Sequence, residues 1–116
     1  MTDLVNILDR AALGQTTKKV PFIEGAEVTF LNDVPGNFLE QLKAQSKASS
    51  DTEAGYWATI QTIVDWNFAG PDKQKLAISV DNFKKLPMKL QRWMIKIGTE
   101  VMSSDDERKK GLPANS

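Results

Sequence analysis

The chain has 116 residues, with 15 basic and 15 acidic side chains, no cysteine and no histidine. The missing cysteine excludes disulfides and thiolate nucleophiles, and the missing histidine excludes imidazole bases, histidine-bound zinc and a serine-histidine triad. Apolar residues make up 41% of the chain. This fraction is ordinary for a globular domain, and a chain of this length can bury a substantial core.

The charges are spread unevenly along the chain. Residues 1–66 contain nine acidic and five basic side chains, whereas residues 67–116 contain six acidic and ten basic ones. This asymmetry fits a surface that steers a charged partner, but the neutral total favours a solvated basic helix. The sequence has no apolar run of the roughly 20 residues that a membrane helix needs, and its N-terminus does not resemble a signal peptide. We therefore expect a soluble cytoplasmic protein.

The first 31 residues predict a short helix followed by a β-hairpin. From Thr2, apolar residues recur at helical spacing, and Gly14 is placed to end the helix. The residues of this pattern are Leu4, Ile7, Leu8, Ala11 and Ala12. Residues 20–31 are rich in β-branched and aromatic side chains, with a turn available at residues 24–26 and an edge position indicated by Pro21. A lone hairpin is marginal in water, so it must pack against helices or find another strand.

Two helices are predicted next. Asn37 with Glu40 resembles a capping box at the start of a helix of about three turns that runs toward Lys47. Ser50 or Asp51 can cap the second helix, which ends at the breaker formed by residues 69–72. Its apolar stripe consists of Trp57, Ile60, Ile63 and Val64.

The C-terminal half predicts two further helices and a tail. After a short extended piece at residues 76–78, Ser79 is placed to cap a helix that ends at Leu86, and Pro87 closes that turn or starts the last helix. The apolar stripe of the last helix is Leu86, Leu90, Trp93, Met94, Ile97 and Val101, and its basic face is Lys85, Lys89, Arg92 and Lys96. We predict one globular domain over residues 1–102 and a disordered charged tail over residues 103–116.

Several roles are open to the last helix and to its large apolar side chains. A basic amphipathic helix can face solvent, dock on a partner, follow nucleic-acid phosphates or lie on a membrane. Trp57, Trp66 and Trp93 are core anchors or interface residues, and Met88, Met94 and Met102 are core fillers or parts of an adaptable surface. The sequence does not separate these roles, because both kinds of stripe are apolar.

Nothing in the sequence suggests a catalytic or metal site. Asp105 and Asp106 lie in the predicted tail, where nothing fixes their separation, and Asp65 and Asp72 flank a turn without the oxygen-ligand spacing of a calcium loop. The glycines are scattered at turn positions and form no phosphate-binding loop. We expect no enzymatic activity, no cofactor and no bound metal.

One stretch of the sequence resembles a known family. The residues are Ile63-Val64-Asp65-Trp66-Asn67-Phe68, a Gly-Pro-Asp turn, and then the segment from Leu76 to Pro87. This stretch resembles the tail assembly chaperones of long-tailed, siphovirus-like bacteriophages. In that family an Asp-Trp-Asn-aliphatic step follows a helix, and an aliphatic-Pro-aliphatic-Ser/Thr piece precedes a capped helix that ends in Leu-Pro. Ala77, where proline is common, and Phe68, in place of a smaller side chain, depart from the pattern. The resemblance covers roughly residues 20–102.

The resemblance implies a non-enzymatic assembly factor of the infected bacterial cytoplasm that is absent from the mature virion. Its partners would be the tape-measure protein and the tail-tube protein, and weak self-association is expected because many copies must cover one long chain. The family often makes a longer product by ribosomal frameshifting, and Lys109-Lys110 lies where such a slip would fall. A charged tail that keeps the chain soluble explains the same residues.

We therefore predict a small, mainly helical α+β domain, with a short β-hairpin in its N-terminal half packed on four to five helices, that acts as a phage tail assembly chaperone. The predicted partner-binding residues are Trp66, Met88, Trp93, Met94 and Met102, with Lys85, Lys89 and Arg92 as a guiding charged face. The alternatives are a nucleic-acid-binding regulator that uses the basic last helix, and a structural subunit at the phage head-tail junction.

Overall fold

A computed structural model describes residues 4–103 of the chain. Three strands form an antiparallel sheet in the order β1 (Gln15–Lys19), β2 (Glu27–Leu31) and β3 (Ile63–Trp66). The helices are α1 (Phe38–Ala48), α2 (Asp51–Gln61), α3 (Val80–Lys85) and α4 (Met88–Met102), and a 3-10 turn covers Arg10–Leu13. The described residues thus confirm a small α+β domain. The predicted tail lies outside them beyond residue 103.

The core lies between the sheet and the helices that cover it. Val28 and Phe30 of β2 pair with Trp66 and Ile63 of β3, and all four side chains are buried. Helix α2 contacts α1, α3 and α4, while α4 also packs on β2. The buried stripe of α4 is Leu90, Met94 and Ile97, as the helical spacing predicted.

The predicted helix caps have mixed outcomes. The hydroxyl oxygens of Ser50 and Ser79 accept hydrogen bonds from the backbone N–H groups of Glu53 and Asn82, each over 3.1 Å, so both serine caps are confirmed. Asn37 does not form the predicted capping box. Its side-chain oxygen accepts a bond from the Gln41 side chain instead, because its own backbone is already near the helical region.

The predicted N-terminal helix is wrong. Residues 4–9 form no α-helix, and one 3-10 turn is present at residues 10–13, with Gly14 at φ 76° ending it. The apolar side chains of this segment are exposed, so the predicted helical face is not packed against the domain. Isolated helices this short are marginal in water, which explains the outcome.

The hairpin is present, but its first strand lies earlier than predicted. The sequence favoured residues 20–24, whereas the structure uses the polar stretch Gln15–Lys19 and places residues 20–26 in the connection. Val20 N–H donates to the Ala26 carbonyl over 2.9 Å and closes this connection, while Pro21 has no N–H to offer a strand. Residues 76–78, predicted as extended, form no strand; the nearest pairing is an isolated bridge between Ala69 and Lys75.

The end of α2 was also predicted wrongly. The stripe over Ile60, Ile63 and Val64 indicated a helix up to the breaker, yet α2 ends at Gln61 and Ile63 begins β3. The Thr62 hydroxyl donates to the Thr59 carbonyl over 2.7 Å, and the Thr62 carbonyl accepts from Leu31 N–H over 2.7 Å. This bond attaches the chain to β2, and the β-branched run at 62–64 suits the extended backbone.

Candidate functional site

Four of the predicted partner-binding residues lie together on the exposed side of α3 and α4. Met88 is 60% exposed. Lys85, which precedes it in the chain, and Lys89 and Arg92, which follow it, are also exposed. We call these four residues the α4 surface. The Lys89 ammonium lies 4.7 Å from the centroid of the Phe22 ring, which is cation-π distance. The hairpin connection therefore borders the α4 surface.

An apolar groove of about 380 Å³ begins beside this surface at Pro87. Its apolar lining includes Ile23, Ala26, Phe68, Leu76, Leu86 and Leu90. Ile23, Phe68 and Leu76 are half-buried, so apolar area remains accessible there. Met88 directly follows Pro87 in the chain and is exposed, and a flexible methionine can adapt to the side chains of a partner.

Two predicted contact residues are buried. Trp66 is 2% exposed and Met94 is 0% exposed, and both belong to the hydrophobic core. The Trp66 indole N–H donates to the Leu76 carbonyl over 2.9 Å, and its ring stacks on Phe68 with centroids 5.2 Å apart. Partner contact through Trp66 or Met94 would require the core to open.

Trp93 and Met102 are half-buried on α4. The Trp93 ring meets Phe30 edge to face, with centroids 6.0 Å apart. A second groove of about 420 Å³ runs between α4 and the start of the hairpin connection. Its lining includes Trp93, Lys18, Lys19 and Lys96. The sequence placed Trp93 apart from the lysines of α4, and only the folding of β1 against α4 adds two more lysines beside it.

The residues that carry the family resemblance hold the fold together. Besides the Trp66 contacts, the Asn67 side chain accepts from Glu27 N–H over 2.8 Å and donates to the Gly25 carbonyl over 2.7 Å. Asp65 forms an ion pair with Lys75. Residues 65–68 thus connect β3 through side-chain bonds to the hairpin connection and to the loop before α3. Phe68 and Leu76, held by these contacts, line the groove.

A further groove was not predicted from the sequence. It measures about 570 Å³ and lies between the N-terminal segment, the end of β2 and the start of α1. We call it the N-terminal groove. Its apolar lining consists of Ile7, Leu8, Leu13, Leu31, Val34, Pro35 and Phe38. The signal available in the sequence was the apolar pattern of residues 4–12, which was assigned to a helix packed within the domain.

Two charged groups have shifted pKa values, and both lie in exposed ion pairs. The hydrogen bond from Lys75 lowers the pKa of Asp65 below its ordinary value. The hydrogen bond to Glu53, whose carboxylate lies 2.7 Å from the ammonium, raises the pKa of Lys84. Both pairs join neighbouring elements, so they bear on the fold.

Within residues 4–103, no group of three or more acidic side chains is arranged to hold a metal ion. None of the helices in this part of the chain combines the length and apolarity that crossing a bilayer requires. Comparison of the chain with protein-family models, with curated proteins and with solved structures gave no match. The candidate sites therefore rest on the residues and their geometry.

Proposed function

We propose that this protein is a phage tail assembly chaperone that covers apolar helical segments of the tape-measure protein and helps recruit tail-tube subunits. The observation that supports this proposal most directly is Met88, which is 60% exposed and directly follows Pro87, a lining residue of the apolar groove, in a stretch that also contains the exposed cations Lys85, Lys89 and Arg92. Such a surface suits a partner helix with an apolar stripe and acidic flanks, because apolar contact and charge complementarity act together.

The chemistry of this surface fits binding that must later be reversed. Each partner side chain of leucine or phenylalanine size that becomes buried contributes about 1.5–3 kcal/mol before the cost of association. The exposed cations Lys85, Lys89 and Arg92 remain hydrated and add mainly to the rate and orientation of encounter. One groove of this size therefore gives a weak contact, and many copies along one tape-measure chain would keep its apolar stripes from aggregating.

The resemblance to tail assembly chaperones agrees with this assignment of the surface. Its Asp-Trp-Asn-Phe step does not supply exposed contacts, since Trp66 is buried. Through the bond from Trp66 to Leu76 and the stacking of Trp66 on Phe68, the step places two walls of the groove next to Met88. Within this proposal, residues 65–68 stabilise the groove and do not contact the partner through Trp66.

The proposal is tested by co-expression with the tape-measure protein encoded in the same phage or prophage. We expect the native chain to raise the soluble fraction of the tape-measure protein and Met88→Asp to abolish that effect, because a carboxylate opposes apolar burial at the groove. The matched control is Leu39→Asp, which alters a 57% exposed leucine on α1. If the tape-measure protein precipitates equally with and without the native chain, the chaperone function is refuted.

Nucleic-acid binding is a second candidate, favoured by the groove whose lining combines Trp93 with Lys18, Lys19 and Lys96, although Glu100 also lines it. Cations around an aromatic ring are the pattern used to bind single-stranded nucleic acid. In this case affinity for single-stranded DNA should fall steeply with salt, and Lys18→Glu with Lys96→Glu should flatten that dependence by about two phosphate contacts. The absence of DNA binding at low salt eliminates this candidate.

A further inference from the structure

Four large apolar side chains stand exposed in the N-terminal segment, within five consecutive positions. Leu4 is 98% exposed, Val5 75%, Ile7 73% and Leu8 92%. Single exposed apolar residues are ordinary, whereas a contiguous patch of this kind marks an interaction surface. This segment lies apart from the α4 surface, so its role is independent of the chaperone proposal.

The sequence of the segment specifies a helix that its own chain does not support. The apolar positions 4, 7, 8, 11 and 12 follow helical spacing, yet a single 3-10 turn at residues 10–13 is formed. Amphipathic helices of this length gain their stability from packing of the apolar face. The pattern and the conformation thus disagree, and the apolar side chains of residues 4–8 remain largely uncovered in the single chain.

An apolar groove lies directly beside the segment, and Ile7 and Leu8 of the same chain form part of its lining. The floor of the N-terminal groove contains Leu31 and Phe38, which are 4% and 3% exposed, and Leu13 and Val34 line it as half-buried residues. The guanidinium of Arg10 donates to the carbonyl oxygens of Gln61 at 3.0 Å and Ile63 at 2.9 Å. These bonds fix the start of the turn at the border of the groove.

We propose that the N-terminal groove receives the Leu4–Leu8 segment of a second copy of this chain. Every copy carries both the apolar segment and the apolar groove, so the two surfaces are self-complementary and two reciprocal contacts close a two-fold dimer. In the dimer the segment adopts the helix that its spacing specifies. The anchored Arg10 keeps each segment next to its own groove, which brings both reciprocal contacts into one interface.

The apolar area involved is sufficient for such a dimer. Side chains of this kind each remove roughly 60–120 Å² of apolar surface from water when they are buried. Burial of the four side chains of one segment, together with a comparable area of the groove that they cover, removes about 500–1,000 Å² of apolar surface from water. The two reciprocal contacts of a dimer would together bury about 1,000–2,000 Å². Stable protein interfaces begin at about 1,000–1,200 Å² in total. A single contact with an unrelated helix would fall below that range.

Sedimentation of the full chain over a wide concentration range tests the proposal. We expect a reversible dimer of twice the 12.9 kDa monomer mass, and the double variant Leu4→Ser with Leu8→Ser should weaken dimerisation by at least about tenfold. Both positions are more than 90% exposed in the monomer, so the variant retains the fold, as circular dichroism would verify. Leu39→Ser, which removes an exposed leucine outside the groove, is the matched control and should leave dimerisation unchanged.

Cross-linking then identifies the occupant of the groove, because the chain contains no cysteine of its own. Leu8→Cys and Val34→Cys chains are mixed and oxidised, and disulfide-linked heterodimers of the two variants should exceed either homodimer. A monomer at all concentrations, an equal effect of Leu39→Ser, or a predominance of Leu8→Cys homodimers overturns the proposal. None of these results depends on the tape-measure experiment, so the two proposals fail separately.

Discussion

The indole nitrogen of Trp66 donates a hydrogen bond to the carbonyl oxygen of Leu76, 2.9 Å away. This bond joins the last residue of β3 to the loop before α3, a segment whose only described strand-like pairing is one isolated bridge. The loop depends on it, since a buried carbonyl left without a donor is costly. The groove next to Met88 depends on it too, because Leu76 lines that groove.

Trp66→Phe should therefore lower the free energy of unfolding by about 2–4 kcal/mol, through the lost donor and the smaller ring. Urea denaturation followed by circular dichroism measures this change. Trp57→Phe is the matched control, because Trp57 is half-buried and stacks on Phe38 with centroids 5.6 Å apart, a contact that phenylalanine retains. Equal losses in the two variants would show that the bond to Leu76 contributes nothing.

Gln91 connects α4 to the end of α3. Its side chain is 5% exposed, and its amide nitrogen donates to the carbonyl oxygens of Lys84 at 3.0 Å and Leu86 at 2.8 Å. Gln91→Glu replaces the donor with a carboxylate facing two carbonyls, so it should cost about 3 kcal/mol at neutral pH. The loss should shrink in mild acid, where a protonated carboxyl group can donate one of the bonds.

The control for Gln91 is Gln41→Glu, because Gln41 is exposed and its amide donates to Asn37 at the surface of α1. That change should alter the free energy of unfolding by less than about 0.5 kcal/mol. Thermal or urea melts at neutral and at mildly acidic pH compare the two variants. A Gln91→Glu loss that is small, or that does not change with pH, contradicts the assigned bonds.

Two helical glycines should respond in opposite ways to added side chains. A Cβ at Gly55 of α2 would meet no described atom within 4 Å, whereas a Cβ at Gly98 of α4 would lie 3.1 Å from the Thr62 hydroxyl oxygen and 3.6 Å from Thr59 Cα. Gly55→Ala should stabilise the protein by about 1 kcal/mol through helix propensity. Gly98→Ala should lose that gain to crowding, and Gly98→Val should destabilise by about 1–3 kcal/mol. Melting temperatures that rise equally for both alanine variants would contradict the close α2–α4 packing.

The ion pair between Asp65 and Lys75 makes the free energy of unfolding depend on pH, and the lowered pKa of Asp65 gives the direction of that dependence. The hydrogen bond from Lys75 lowers the pKa of Asp65 below its ordinary 3.8, so the folded chain holds this proton less tightly than the unfolded chain. The stabilisation is therefore complete above that ordinary value and is lost as the pH falls through the lowered pKa. It is small and weakened by salt, because the two side chains are 55% and 57% exposed.

Urea titrations of the native chain and Asp65→Asn, from about pH 6 to about pH 2.5, measure this contribution. The variant should be the less stable of the two at the upper end, and the difference should close at the lower end. Added salt should reduce the difference near pH 6. A difference that widens as the pH falls would reverse the assigned sign.

The sequence predicted the parts of the fold that local chemistry specifies. Ser50 and Ser79 were identified as caps because their hydroxyls satisfy backbone donors at a fixed offset. The long periodic stripe of α4 likewise predicted its buried positions Leu90, Met94 and Ile97 and the exposed positions of Lys89 and Arg92. Lys85, which was assigned to the same helix, is exposed at the end of α3.

Sequence analysis predicted β2 as part of the hairpin but missed β1 and β3, because the conformation of these two strands comes from pairing. The stretch Gln15–Lys19 has no apolar alternation and becomes a strand through backbone bonds to β2. The run at Ile63 and Val64 is too short to separate a helical period from a strand, and the bond between Leu31 and Thr62 decides the outcome.

By itself, the sequence determined the two serine caps and the buried and basic faces of α4, since each depends on neighbours within a few residues along the chain. Only the tertiary structure decided which apolar residues are core and which remain accessible. Trp66 and Met88 were equivalent candidates until packing buried the first and left the second exposed. Burial depends on which distant segments meet, so the same apolar chemistry serves the core in one place and a contact surface in the other.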